Sequence, residues 1–123
     1  METPCLKNGE LLTESATTIP LSNVEYAYGF GVYETVRVVH GTPLFLDQHL
    51  KRLLVSAAVI GLEHTHTEPV LLEWATTLLT KTKADSCNLK ILLIGGRTPQ
   101  EATVWMLLLR PLFPDKRLFT QGI

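Results

Sequence analysis

The chain lacks most of what marks the special classes of protein. It holds two cysteines, Cys5 and Cys87. They are too few for a disulfide framework and show no metal-ligand spacing, so a reducing cytoplasm is the expected setting. Neither sign of charge is in excess: eleven basic residues against twelve acidic ones leave −1, with a pI near 6.4. That excludes the electrostatic footprint of a nucleic-acid binder or of a protein drawn to an anionic membrane. No long hydrophobic run occurs. Ile91-Leu92-Leu93-Ile94 and Trp105-Met106-Leu107-Leu108-Leu109 are strand-sized, well short of the ~20 residues of a bilayer span. Met1-Glu2-Thr3-Pro4 opens acidic, without the basic-then-apolar pattern of a signal peptide. There is no internal repeat and no low-complexity stretch.

What is present is a composition for one folded domain with a single core: 123 residues, 46% hydrophobic and 19% charged. Residues 4–13 read as a hairpin, because Asn8-Gly9 supplies the two positive-φ positions of a type I′ turn. Residues 13–23, rich in Ser, Thr and Pro, read as loop. From Gly31 to His40 the sequence alternates. Val32, Glu34, Val36 and Val38 share one face of a strand, and Tyr33, Thr35, Arg37 and Val39 share the other. His40-Gly41 ends that strand, and Pro43-Leu44-Phe45-Leu46 begins a short return strand. Asp47 is the expected N-cap of a helix running to about Ile60, with Gly61 at C′. Its core stripe is Leu50, Leu53, Leu54, Ala57 and Ala58, and His49, Arg52 and Ser56 form a different stripe. A second helix is expected from about Thr67 to Lys83 on the stripe Leu71, Leu72, Ala75, Leu78 and Leu79. Strands Asn88–Ile94 and Thr103–Arg110 follow, joined by a Gly95-Gly96 turn. Residues 111–123 carry no core-facing period and read as a strap or linker. Strands segregated from helices predict an α+β fold, a largely antiparallel β-sheet packed against two α-helices.

The chemistry-bearing residues are few. His64-Thr65-His66 lacks a third ligand and reads as a pair of solvated loop residues, so no metal is expected. Gly29-Phe30-Gly31 and Gly95-Gly96 read as a close approach to a strand and a hairpin turn, since neither opens a helix as a phosphate loop would. No nucleophile–base set can be assigned from residue order. Arg52 is the better candidate, since a guanidinium presents a fixed fork of donors suited to phosphate and His49 lies one turn earlier, although spacing alone favours an exposed surface arginine. Tyr33, Thr35 and Arg37 put a phenol, a hydroxyl and a cation on one strand face, and Lys90 adds a cation on a later strand. Such a face either meets solvent or lines a cleft.

Three linked blocks carry a resemblance. Tyr28-Gly29-Phe30-Gly31-Val32-Tyr33-Glu34-Thr35-Val36-Arg37-Val38, then Gly41-Thr42-Pro43-Leu44-Phe45-Leu46, then His49-Leu50-Lys51-Arg52-Leu53 resemble the class IV (fold-type IV) pyridoxal-phosphate-dependent enzymes. That family includes branched-chain and D-amino-acid aminotransferases and aminodeoxychorismate lyase. The similarity covers nearly the whole chain and falls on the family's small N-terminal domain. The resemblance implies pyridoxal 5′-phosphate as cofactor of the complete enzyme. Arg52 would hold the cofactor phosphate, supported by His49. Tyr33, Thr35 and Arg37 would line the substrate pocket, with Tyr28 near it. Lys90 falls where branched-chain members place a carboxylate-recognising arginine. Arg97 falls in the loop that carries one in D-amino-acid members, although the loop here is shorter. The implied substrates are an amino acid and a 2-oxo acid, or aminodeoxychorismate, and the implied assembly is a homodimer. This chain departs in having Gly29-Phe30-Gly31 where the family usually writes Gly-Asp-Gly. It also lacks the acidic-basic pair before that block, at Glu25-Tyr26-Ala27.

None of Lys7, Lys51, Lys81, Lys83, Lys90 or Lys116 matches the family's Schiff-base lysine, which lies in a second domain. The expected organisation is therefore an N-terminal domain over residues 1–112 and the start of an interdomain linker over 113–123, with the C-terminal catalytic domain absent. The chain alone is expected to be inactive. A reading of a different class stays open at this level: a stand-alone, non-catalytic α+β module for binding or oligomerisation.

Overall fold

Asn8 and Gly9 turn the chain as the sequence predicts, with φ of 47° and 88°. They join β1 (Pro4–Lys7) to β2 (Glu10–Thr13). The computed structural model describes residues 4–13 and 30–110. Tyr28, Gly29, most of the Ser/Thr/Pro-rich stretch and the segment 111–123 lie outside the described residues. The alternating run forms β3 (Gly31–Val39). His40 and Gly41 then turn the chain with φ of 49° and 77°, as a second primed hairpin turn requires.

The return strand is shorter than expected. β4 is only Thr42–Pro43, because Phe45 adopts a left-handed conformation (φ 57°) and starts the next element. That element is α1 (Leu46–Val59), whose N-cap is Phe45 rather than Asp47, with no side-chain cap bond. Asp47 sits one position inside the first turn, where its charge still favours the positive end of the helix dipole. The C-terminal end forms as predicted. Gly61 has φ 75°, its N–H donates to the Ala58 carbonyl (3.1 Å), and the Leu62 N–H donates to the Ala57 carbonyl (2.8 Å). This is a Schellman ending.

The second helix, α2 (Glu68–Thr82), has Thr67 as N-cap and left-handed Lys83 as C-cap. β5 (Cys87–Ile94) and β6 (Thr103–Leu109) follow, with a single 3₁₀ turn at Pro99–Glu101 between them. The six strands among the described residues form one sheet in the order β2-β1-β6-β5-β3-β4, every neighbour antiparallel. Both helices cover the same face. Leu6, Val36, Val38, Leu89, Ile91, Leu93, Val104 and Met106 from the strands meet Leu50, Leu53, Ala57, Leu71, Ala75 and Leu78 from the helices in one core. The fold is α+β, as the segregation of strands from helices implies. Two residues of the expected stripes fall outside it: Ala58 and Leu72 are exposed. Each lies at the flank of its helix, where 100° per residue turns it past the sheet.

Candidate functional site

β3 is the element that organises the polar residues. One edge pairs with β5 from Gly31 to Val38, and the other pairs with β4 only at Val38 and Val39. Among the described residues, most of that outer edge is therefore open. Alternate side chains of β3 leave it on opposite faces, so the candidate residues divide into two groups around one edge.

On the helix-covered face lies a residue that the sequence placed but did not single out. Glu34 shares its face with Val32, Val36 and Val38, and its register neighbours are Ile91 on β5 and, beyond it, Met106 on β6. Glu34 is buried. A carboxylate in such an apolar row needs partners, and α1 supplies both. His49 Nδ1 donates to Glu34 Oε1 at 2.7 Å. Arg52 Nε donates to Oε1 and Oε2 at 3.0 and 2.9 Å, and Arg52 Nη2 donates to Oε1 at 2.6 Å. An ionised carboxylate only accepts, so the His49 proton resides on Nδ1. The bond from Arg52 holds the Glu34 carboxyl below its ordinary value, against the opposing push of burial, and His49 adds to the lowering. The same bond raises Arg52 further. The signal available in the sequence was a lone carboxylate in an otherwise apolar strand face.

Glu34 occupies only the inner edge of the guanidinium. The Arg52 side chain is 67% exposed, and Nη1 has no hydrogen-bond partner among the described residues. An arginine anchored on one edge and open on the other is chemically suited to an oxyanion such as phosphate.

On the opposite face, Tyr33, Thr35 and Arg37 come together with Lys90. Thr35 stands directly across from Lys90, Tyr33 across from Leu92 and Arg37 across from Asn88. Lys90 Nζ lies 4.9 Å from the centre of the Tyr33 ring, a cation–π contact. Tyr33 is exposed, and Arg37 Nη1 reaches the Cys87 carbonyl at 3.4 Å. Burial pushes the Cys87 thiol up, which disfavours its thiolate. Arg97 lines a shallow cleft with Phe30, Gly61, Glu63 and Pro99. Tyr28 falls outside the described residues.

The histidine pair is not a solvated loop feature, and this corrects the sequence reading. His64 and His66 are half-buried and stacked at 5.8 Å. His66 Nε2 donates to the Ala102 carbonyl (2.8 Å), and the His66 N–H donates to His64 Nδ1 (3.0 Å). The pair ties the α1–α2 connection to the start of β6. Burial, and then neighbouring His66, hold His64 below its ordinary value.

The amino-transferase class IV family profile matches residues 31–121. This chain belongs to the class IV aminotransferase family. A D-alanine aminotransferase of Bacillus licheniformis is 30% identical over 96 residues, which are 78% of this chain and 34% of that protein. One from Staphylococcus epidermidis is 29% identical over 93 residues, 76% of this chain and 33% of that protein. The chain thus spans about a third of the length of these relatives. Its fold matches the branched-chain aminotransferase of Thermoproteus uzoniensis solved with norvaline, at a TM-score of 0.76 and 21% identity. That match covers 89% of this chain and 41% of the other. An Escherichia coli branched-chain aminotransferase gives 0.77 at 18% identity, over 90% and 40% of the two chains. Class IV members imply pyridoxal phosphate in the complete enzyme, and the open edge of Arg52 has the donor chemistry for its phosphate group.

Proposed function

We propose that this chain is the N-terminal domain of a pyridoxal-phosphate-dependent class IV aminotransferase. In the complete enzyme, the cofactor would act as the electron sink for chemistry at the amino acid's α-carbon. Arg52 holds its phosphate from the helix side of β3, supported by His49. Tyr33, Thr35, Arg37 and Lys90 form one wall of the substrate pocket from the other side. Lys90 and Arg37 attract the substrate carboxylate, and Tyr33 offers a hydroxyl and an aromatic face. The Schiff-base lysine would come from a second domain, so the chain alone is inactive. The D-alanine aminotransferases among its relatives favour a D-amino acid and a 2-oxo acid as substrates, within a family that also holds branched-chain transaminases and aminodeoxychorismate lyase. A homodimer is the assembly the family implies.

The observation that carries this reading is the geometry of Arg52: inner edge fixed on a buried carboxylate, outer edge open. The test is a titration of the complete apoenzyme with pyridoxal 5′-phosphate. Arg52→Ala removes charge-assisted bonds to the phosphate and should weaken binding on the order of a hundredfold. Unchanged affinity would remove Arg52 from the site.

A further inference from the structure

Among the described residues, Glu34 is the one buried charged side chain. Its neighbours across the sheet, Ile91 and Met106, are fully buried and apolar, so packing alone calls for a hydrocarbon at this position. We infer that Glu34 is a positioning residue for Arg52. It touches no ligand itself, and it sets which edge of the guanidinium is presented to a phosphate. The inference rests on the phosphate reading above.

Two features of the geometry support it. Both carboxylate oxygens are taken by donors of this chain, His49 and Arg52, three residues apart on α1. The contact to Arg52 is also made through Nε as well as Nη2, so it fixes the plane of the guanidinium in addition to its position. Without that contact, a long side chain that is 67% exposed would sample many rotamers, and ordering it on binding would weaken affinity by about tenfold. The opposing effect is repulsion between the Glu34 carboxylate and the phosphate. It acts across a solvent-exposed cation, where screening reduces it to about a few-fold. Positioning therefore outweighs repulsion, and removing the carboxylate lowers affinity.

The experiment titrates the complete apoenzyme with pyridoxal 5′-phosphate and, separately, with pyridoxal, which has no phosphate. It uses the unmodified protein, Glu34→Gln, Arg52→Ala and the double variant. Glutamine preserves volume but turns one donor toward Arg52, so the two-point contact breaks. The expected result is a roughly tenfold loss for pyridoxal 5′-phosphate with Glu34→Gln. Affinity for pyridoxal should not change, and Glu34→Gln should add no loss in the Arg52→Ala background. Equal losses for both ligands would make Glu34 merely structural and overturn the inference, as would unchanged or tighter binding of pyridoxal 5′-phosphate. Should Glu34→Gln fail to fold by near-ultraviolet circular dichroism, Glu34→Asp carries the same expectation, since it keeps the charge and shortens the reach. If Arg52→Ala itself loses no affinity for pyridoxal 5′-phosphate, the phosphate reading fails. If Arg52→Ala loses affinity and the Glu34 variants do not, only the present inference fails.

Discussion

At Glu34 a strand alternation meets a helix periodicity. The period of two puts the carboxylate among Val32, Val36 and Val38, and the three-residue spacing on α1 aims His49 and Arg52 at it. This pairing has a consequence for stability. The folded-state value of Glu34 lies below its ordinary one, so the unfolded chain binds this proton more readily. The stabilisation is complete above the ordinary carboxylate range and is lost as pH falls through the depressed folded value. His64 acts in the same direction, because its folded value is also lowered and acid must charge a half-buried ring. Urea unfolding at neutral pH and near pH 3 checks the Glu34 contribution. Glu34→Gln should lose less stability between the two conditions than the unmodified protein. An equal loss would mean that Glu34 is not paired as described. The sequence placed Glu34 on the correct face and singled out both His49 and Arg52. It did not join them, because the three meet through space between a strand and a helix 15 and 18 residues away.

The elements were legible where a local rule decides the outcome. Asn8-Gly9 and Gly61 demand positive φ, and the Gly31–Val39 alternation admits only one strand register against a buried face. They were less legible where the environment decides. Phe45 took the start of α1 from Asp47, since the turn after β4 requires a left-handed residue there and the cap moves with it. Ala58 and Leu72 have the right spacing but point past the sheet. Leu53→Ala should therefore cost about 2–5 kcal/mol, whereas Leu72→Ala, at an exposed site, should cost under about 1 kcal/mol. Equal costs would contradict the orientation of the helices. The glycines also separate. A Cβ at Gly61 would meet nothing within 4 Å, whereas one at Gly9 would lie 2.5 Å from Trp74 Nε1. Gly61→Ala should cost about 1 kcal/mol from backbone strain alone. Gly9→Ala should cost about 2–4 kcal/mol, because the hairpin and α2 must also separate. Denaturant unfolding of the two variants reads this order directly.

For the whole molecule, the sheet and its two helices form a scaffold that carries two chemical groups around one strand. Arg52 and His49 are anchored through Glu34 on one side, and Tyr33, Thr35, Arg37 and Lys90 are gathered on the other. The α+β class and the family were legible in the sequence because Tyr33-Glu34, Gly41 and His49–Arg52 stand in fixed order along a strand, a turn and a helix. The split into two faces required the register. On the proposed reading Lys90 is a carboxylate-binding cation and the Schiff-base lysine lies outside both groups; no helix among the described residues is long and apolar enough to cross a membrane. On this account purified chain, supplied with pyridoxal phosphate, a D-amino acid and a 2-oxo acid, transfers no amino group. Turnover above the rate of free cofactor would show that the chain carries its own catalytic base. The central claim is that these residues are one domain of a longer enzyme, and the intact mass of the native product in its source cells tests it most directly. The account predicts a product well above 13.7 kDa, continuing past Ile123 into a domain with a strand-borne lysine and the rest of the phosphate site. A native product of 13.7 kDa would contradict it and turn the search toward a binding partner.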